Sequence, residues 1–141
     1  FLLSTPTFEL FPPRAELCNA KVVQIPVREE DLQYDVDGML NAINERTKLI
    51  LIINPNNPTG AVYEISALER IIDICRKNDL WLISDEAYRD FNFSGAEPFS
   101  PFEIPRLRER LITVRSFSKT YGMTGFRIGF AVAPSRVIQA L

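Results

Sequence analysis

Histidine is absent from the 141 residues. That absence removes Ser-His-Asp triads, Cys-His dyads and histidine-based metal sites, so any chemistry rests on Lys, Asp, Tyr or Arg, or on a bound group. Cysteine is scarce. Cys18 and Cys75 stand alone, and Cys75 falls on the apolar spacing of a helix, which reads as two buried thiols in a reducing compartment. No charge of one sign dominates: a net charge of −2 offers no basic surplus to nucleic acid or anionic lipid. Apolar runs such as "LILII" are far too short for a bilayer, and no secretory leader is visible, so the expectation is no membrane and a cytoplasmic location. Asn92-Phe93-Ser94 fits a glycosylation pattern, which without secretion is a chance match.

What is present is an alternation of short apolar runs with amphipathic stretches, the pattern of an α/β protein. Strands are expected at 1–4, 21–26, 48–54, 80–84, 111–117 and 127–133. Helices are expected at 37–45, 66–78 and 105–111, with Ser66 and Glu69 at capping-box spacing. Leu68, Ile71, Ile72 and Cys75 share one helical face and belong to the core. Pro12-Pro13 should delay a further helix until after them. The near-continuous apolar strands imply a mostly parallel sheet with helices on both faces, in three layers. About ten residues separate the last two strands, too few for a parallel crossover, so the final strand should run antiparallel.

In such sheets ligands sit beyond the carboxyl ends of the strands. The polar residues collect there. Thr5-Pro6-Thr7-Phe8 follows the first run, and "NPNNPTG" (54–60) the third; Asp85-Glu86-Ala87-Tyr88 follows the fourth, and Ser118-Lys119 the fifth. The antiparallel return brings Arg127 to the same edge. Singly each has an ordinary explanation: Asn-Pro makes turns anywhere, and Asp85 can cap the turn that starts at Glu86. An acid, a phenol, an amide, an amine and a guanidinium converging on one rim are better explained by a site for a ligand. Ser116-x-x-Lys119 lacks the partner motifs of Ser–Lys acyl-transfer enzymes, and Lys119-Thr120 lacks the glycines of a phosphate-binding P-loop.

"NPNNPTG", "SDEAYRDF" and "SFSKTYGMTGFRIGF", in this order and separation, closely resemble the class I/II aminotransferases, pyridoxal-phosphate enzymes of fold type I. The likeness runs from "STPTF" to "APSRV". It implies that Lys119 forms the Schiff base with the cofactor aldehyde, its neutral form favoured by burial beside Arg127, and then moves the α-proton. Asp85 would pair with the pyridine nitrogen, and Tyr88 and Asn57 with the phenolic oxygen. Phe8 would stack on one ring face, with Ala87 near the other. Ser116 and Arg127, assisted by Ser118, would bind the phosphate. The implied activity moves an amino group between an amino acid and a 2-oxo acid. Carbon–sulfur β-lyases and aminocyclopropane-carboxylate synthases share the motifs, and a non-catalytic regulatory module is the reading furthest from these. The family's glycine-rich loop would precede Phe1, and its substrate-carboxylate arginine would follow Leu141 in a small domain. Residues 1–141 are therefore expected to be the middle of a large cofactor-binding domain, inactive alone and part of a homodimer at full length.

Overall fold

The computed structural model describes residues 1–93, 95 and 99–140. Its elements are β1 (Leu2–Thr5), α1 (Phe11–Leu17), β2 (Val23–Pro26), α2 (Val36–Ala42), β3 (Leu49–Ile53), α3 (Ile65–Lys77), β4 (Trp81–Asp85), β5 (Leu111–Ser116), α4 (Phe117–Thr120), β6 (Gly129–Val132) and α5 (Ser135–Ile138). The strands form one six-stranded sheet in the order β2-β1-β3-β4-β5-β6. All neighbours are parallel except β5 and β6, which run antiparallel as the short connection demanded. Helices pack around the sheet, giving the expected α/β fold. Of the Asn92-Phe93-Ser94 pattern, Ser94 lies outside the described residues.

The main core forms where α2 and α3 cover one sheet face. Leu2, Ile50, Ile52, Leu82 and Leu111 meet Met39, Leu68, Ile71, Ile72 and Cys75 there. The strand residues share a face because each is level with its neighbour: Leu2 with Ile50, Ile50 with Leu82, Leu82 with Leu111. On the opposite face Leu3 and Leu51 are also buried, so the central strands are covered on both sides. Burial pushes the Cys75 thiol up to about 12, which makes it an inert core residue.

Four local expectations need correction. α1 begins at Phe11, ahead of Pro12-Pro13, because both prolines fall in its first turn, where backbone N–H groups have no helical partner to lose. Ser66 does not cap α3: the cap position is Glu64, and Ser66 Oγ donates to the Glu64 side chain at 3.3 Å. Residues Pro105–Arg110 form a 3₁₀ helix, a short stretch that buries only Leu107. Cys18 is exposed, because it follows α1, none of whose residues is buried.

The strand order reverses between β1 and β3, and there the two strands separate beyond Leu3 and Leu51. A crevice opens at such a reversal. Tyr34 closes its floor, with its hydroxyl accepting from Ile53 N at 3.1 Å and its ring stacked on Tyr63 at 3.5 Å between centroids. Asn54 and Asp85 then continue the ladder through Asn54 N–H donating to Asp85 O at 3.0 Å. Among the described residues no helix is long and apolar enough to cross a membrane.

Two substitutions on α3 separate packing from capping. Ile71→Ala should cost about 2–5 kcal/mol in urea unfolding, whereas Ser66→Ala should stay within about 0.5 kcal/mol. A cost of about 1 kcal/mol for Ser66→Ala would show that its hydroxyl caps the helix after all.

Candidate functional site

Parallel register brings the strand ends level: Ile53 lies beside Asp85, and Asp85 beside Val114. Phe8 follows β1, Asn57 follows β3, Tyr88 follows β4, and α4 carries Lys119 directly after Ser116, the last residue of β5. β6 enters from the same side, opposite Ser116 at Gly129, which returns Arg127 to the group. Phe8, Asn57, Asp85, Tyr88, Ser116, Lys119 and Arg127 all line one cleft of about 210 Å³, with Ala87 and Ser118. Larger hollows of about 420 and 480 Å³ lie elsewhere. The first contains no acid, and in the second Glu109 is already paired with Arg136. Chemistry rather than size singles out the smaller cleft.

Asp85 is the electrostatic centre. Its side chain accepts from Ala87 N at 2.9 Å, so it does shape the turn as an ordinary cap would. Burial holds its carboxyl above the usual range; the Ala87 N–H opposes that, and the charge of Glu86 adds to it. Among the described residues no lysine or arginine forms an ion pair with it. A desolvated carboxylate with one hydrogen bond and no countercharge suits a cationic or N–H ligand.

The asparagines divide the work of their loop. Asn54 Oδ1 accepts from Tyr63 N at 3.1 Å. Asn56 accepts from Thr59 N and Oγ1 at 3.2 and 2.7 Å and donates to Pro6 O at 3.3 Å. Asn57, half-buried, has no such internal bond among the described residues and lines the cleft.

Lys119 and Arg127 differ from expectation. Both are exposed on the rim rather than buried. Lys119 sits near the end of a four-residue helix, and its Nζ stands 5.4 Å from the Tyr88 ring centroid. Arg127 adopts a left-handed backbone (φ 54°) and donates through Nη1 to Thr124 O at 2.9 Å. A non-glycine residue so placed is held there by its surroundings, a kind of strain that gathers at binding sites. Ser116 Oγ accepts from Ser118 N at 3.1 Å, and Thr120 Oγ1 donates to Asp90 at 2.6 Å, tying the lysine turn to the segment after Tyr88. Gly129 allows β6 to approach: a Cβ there would come within 2.6 Å of Arg115 O. Phe8 is 38% exposed, its ring edge-on to Phe11 at 5.7 Å.

Sequence reasoning missed Ile53 and Thr124, which also line the cleft. Ile53 carries no polar signal. Thr124, a hydroxyl between Met123 and Gly125 in the same loop as Arg127, was the one that could have been flagged.

The description of aminotransferase class I and II matches residues 1–141. The chain belongs to that family. It is 39% identical over 141 residues to an aspartate aminotransferase of Pyrococcus abyssi, covering 99% of this chain and 36% of that protein. It is 41% identical over 135 residues to an aromatic amino acid aminotransferase of Streptomyces coelicolor, covering 96% and 37%. Among solved structures, an aromatic aminotransferase from Pyrococcus horikoshii superposes with a TM-score of 0.94 at 40% identity, over 98% of this chain and 37% of that one. Thermus thermophilus aspartate aminotransferase with maleate gives 0.93 at 35% identity, over 99% and 36%. The chain thus spans a little over a third of the length of these relatives.

The raised carboxyl of Asp85 has a consequence for stability. The native state favours the neutral acid, so stability without ligand falls as pH rises above the ordinary carboxylate value, about 4, and the penalty is absent below it. Asp85→Asn keeps an acceptor for Ala87 N. In the ligand-free protein at its full length it should raise Tm by a few degrees at pH 7 and leave it unchanged near pH 3.5. A lower Tm at pH 7 would contradict the assignment.

Proposed function

We propose that the cleft is a pyridoxal-phosphate site and that the protein at its full length transfers an amino group from an amino acid to a 2-oxo acid. One observation carries this reading: an uncompensated, desolvated carboxylate, Asp85, lines the same small cleft as the amine of Lys119 and the guanidinium of Arg127. The donor set suits the cofactor's parts. Asp85 would receive the ring nitrogen, Asn57 and Tyr88 the phenolic oxygen, and Phe8 and Ala87 the two ring faces. Ser116 and Arg127, with Ser118, would hold the phosphate, arginine through a fork of donors.

When bound, pyridoxal phosphate supplies a carbonyl for covalent attachment and a ring that accepts the electron pair left at a deprotonated carbon. Asp85 would favour a positive charge on the ring nitrogen. Lys119 would provide the amine for attachment and then hold or release the proton of the substrate α-carbon as base and acid. The loop order supports these roles: Tyr88 lies under Lys119, and Thr120–Asp90 holds their segments together. We also read residues 1–141 as part of a larger cofactor-binding domain, and the protein as a homodimer, for which the exposed Tyr121 and Phe126 next to the lysine turn offer apolar contact surface. Aminotransferase activity is favoured by the family and by the names of its relatives.

The test uses the protein at its full length. Incubation with a panel of amino acids and 2-oxoglutarate should yield keto acids; pyruvate with ammonia would indicate a lyase, and no product a non-catalytic module. Lys119→Ala should abolish the borohydride-fixed cofactor adduct, and an unchanged adduct would mean another lysine. Arg127→Ala should weaken cofactor binding by about 10- to 100-fold, with a smaller effect on turnover at saturating cofactor.

A further inference from the structure

Beside Asp85 the chain buries a second carboxylate that takes no part in lining the cleft. The Glu86 side chain is 1% exposed. Its Oε2 accepts from Arg115 Nε at 3.1 Å and Nη2 at 2.9 Å, with Arg89 Nη1 at 3.8 Å. Its Oε1 accepts from the hydroxyls of Ser84 and Ser100. Glu86 N also donates to Val114 O at 2.9 Å. Arg115 immediately precedes Ser116, so this ion pair joins the end of β4, which carries the acid, to the end of β5, which carries the serine and the lysine turn.

A buried carboxylate next in the chain to a half-buried one opposes its charge. Tyr88, Lys119 and Arg127 line the cleft with Asp85, and the Tyr34 hydroxyl is near enough to feel its charge; Glu86 turns to the other side of β4, with Ser84, and acts on Asp85 through its charge. Of these Glu86 is the negative one, and Arg115 is the cation with two nitrogens on it. We propose that Arg115 is a positioning residue: by pairing with Glu86 it shields Asp85 from the neighbouring negative charge and keeps that carboxylate available to a cationic ligand. The inference rests on the cofactor reading above and adds to it a residue that touches neither cofactor nor substrate. Burial and the Glu86 charge both act to hold Asp85 in its neutral form, so removing the shield should act on the same balance.

The test is equilibrium binding of pyridoxal 5′-phosphate to the full-length protein between about pH 4.5 and 8, followed by absorbance, with the acid limb of the affinity as readout. Arg115→Met should move that limb up by about one pH unit. Glu86→Gln should move it down, and the double variant should return close to the parent. Opposite shifts are the signature, since a merely structural pair would weaken binding in both single variants at every pH. Shifts in one direction, or none, overturn the proposal. If Arg115→Met does not fold, Glu86→Gln alone decides: an unmoved limb refutes the shielding role. A parent protein that binds no pyridoxal phosphate at any pH overturns the cofactor reading instead, and with it this inference, before any variant is made.

Discussion

A carboxylate drawn partly out of water, with no countercharge among the described residues, is the constraint around which this cleft is arranged. Asp85 ends β4, level with Ile53 on one side and Val114 on the other. Its backbone accepts from Asn54 N and its side chain from Ala87 N, and among the described residues it forms no ion pair. Desolvation makes the charged form unfavourable until something cationic arrives. The sheet holds this arrangement in place: the core under β3, β4 and β5 and the level ends of those strands set the position of the acid before any ligand is present.

The same register explains why residues far apart in sequence meet. Four parallel strand ends and one antiparallel start deliver an aromatic ring, an amide, an acid, an amine and a guanidinium to a single rim. The reversal of strand order between β1 and β3 opens the crevice, and Tyr34 fills its base by bonding to both backbone groups of Ile53. Behind the rim, Glu86 and Arg115 bind β4 to β5. Stability and site therefore share the same strand ends, so the pairs that hold the sheet together also set the charge felt in the cleft.

The strands, their direction and the rim residues were legible because each depends on local sequence: apolar runs, the short link before β6 and the polar residues after each strand. Legibility failed where the outcome depends on what packs nearby. The family resemblance implied a Lys119 amine buried beside Arg127, yet among the described residues it is exposed on the rim. Pro12-Pro13 read as a barrier because prolines break helix interiors, but the first turn tolerates them. Ser66 had the right spacing for a cap, but the cap position falls two residues earlier, at Glu64. The Glu86–Arg115 pair left no sequence signal, because it exists only once β4 and β5 are in register and Ser100 is brought alongside.

The charge state of the ring nitrogen that the proposed cofactor would present to Asp85 bears most directly on this account. With pyridoxal 5′-phosphate labelled with nitrogen-15 in the ring and bound to the full-length protein, the nitrogen chemical shift between pH 6 and 9 reports whether it carries a proton. The account requires a protonated nitrogen across that range, lost in Asp85→Asn. A nitrogen that titrates in the parent as it does in free solution, or that keeps its proton in the variant, would contradict it.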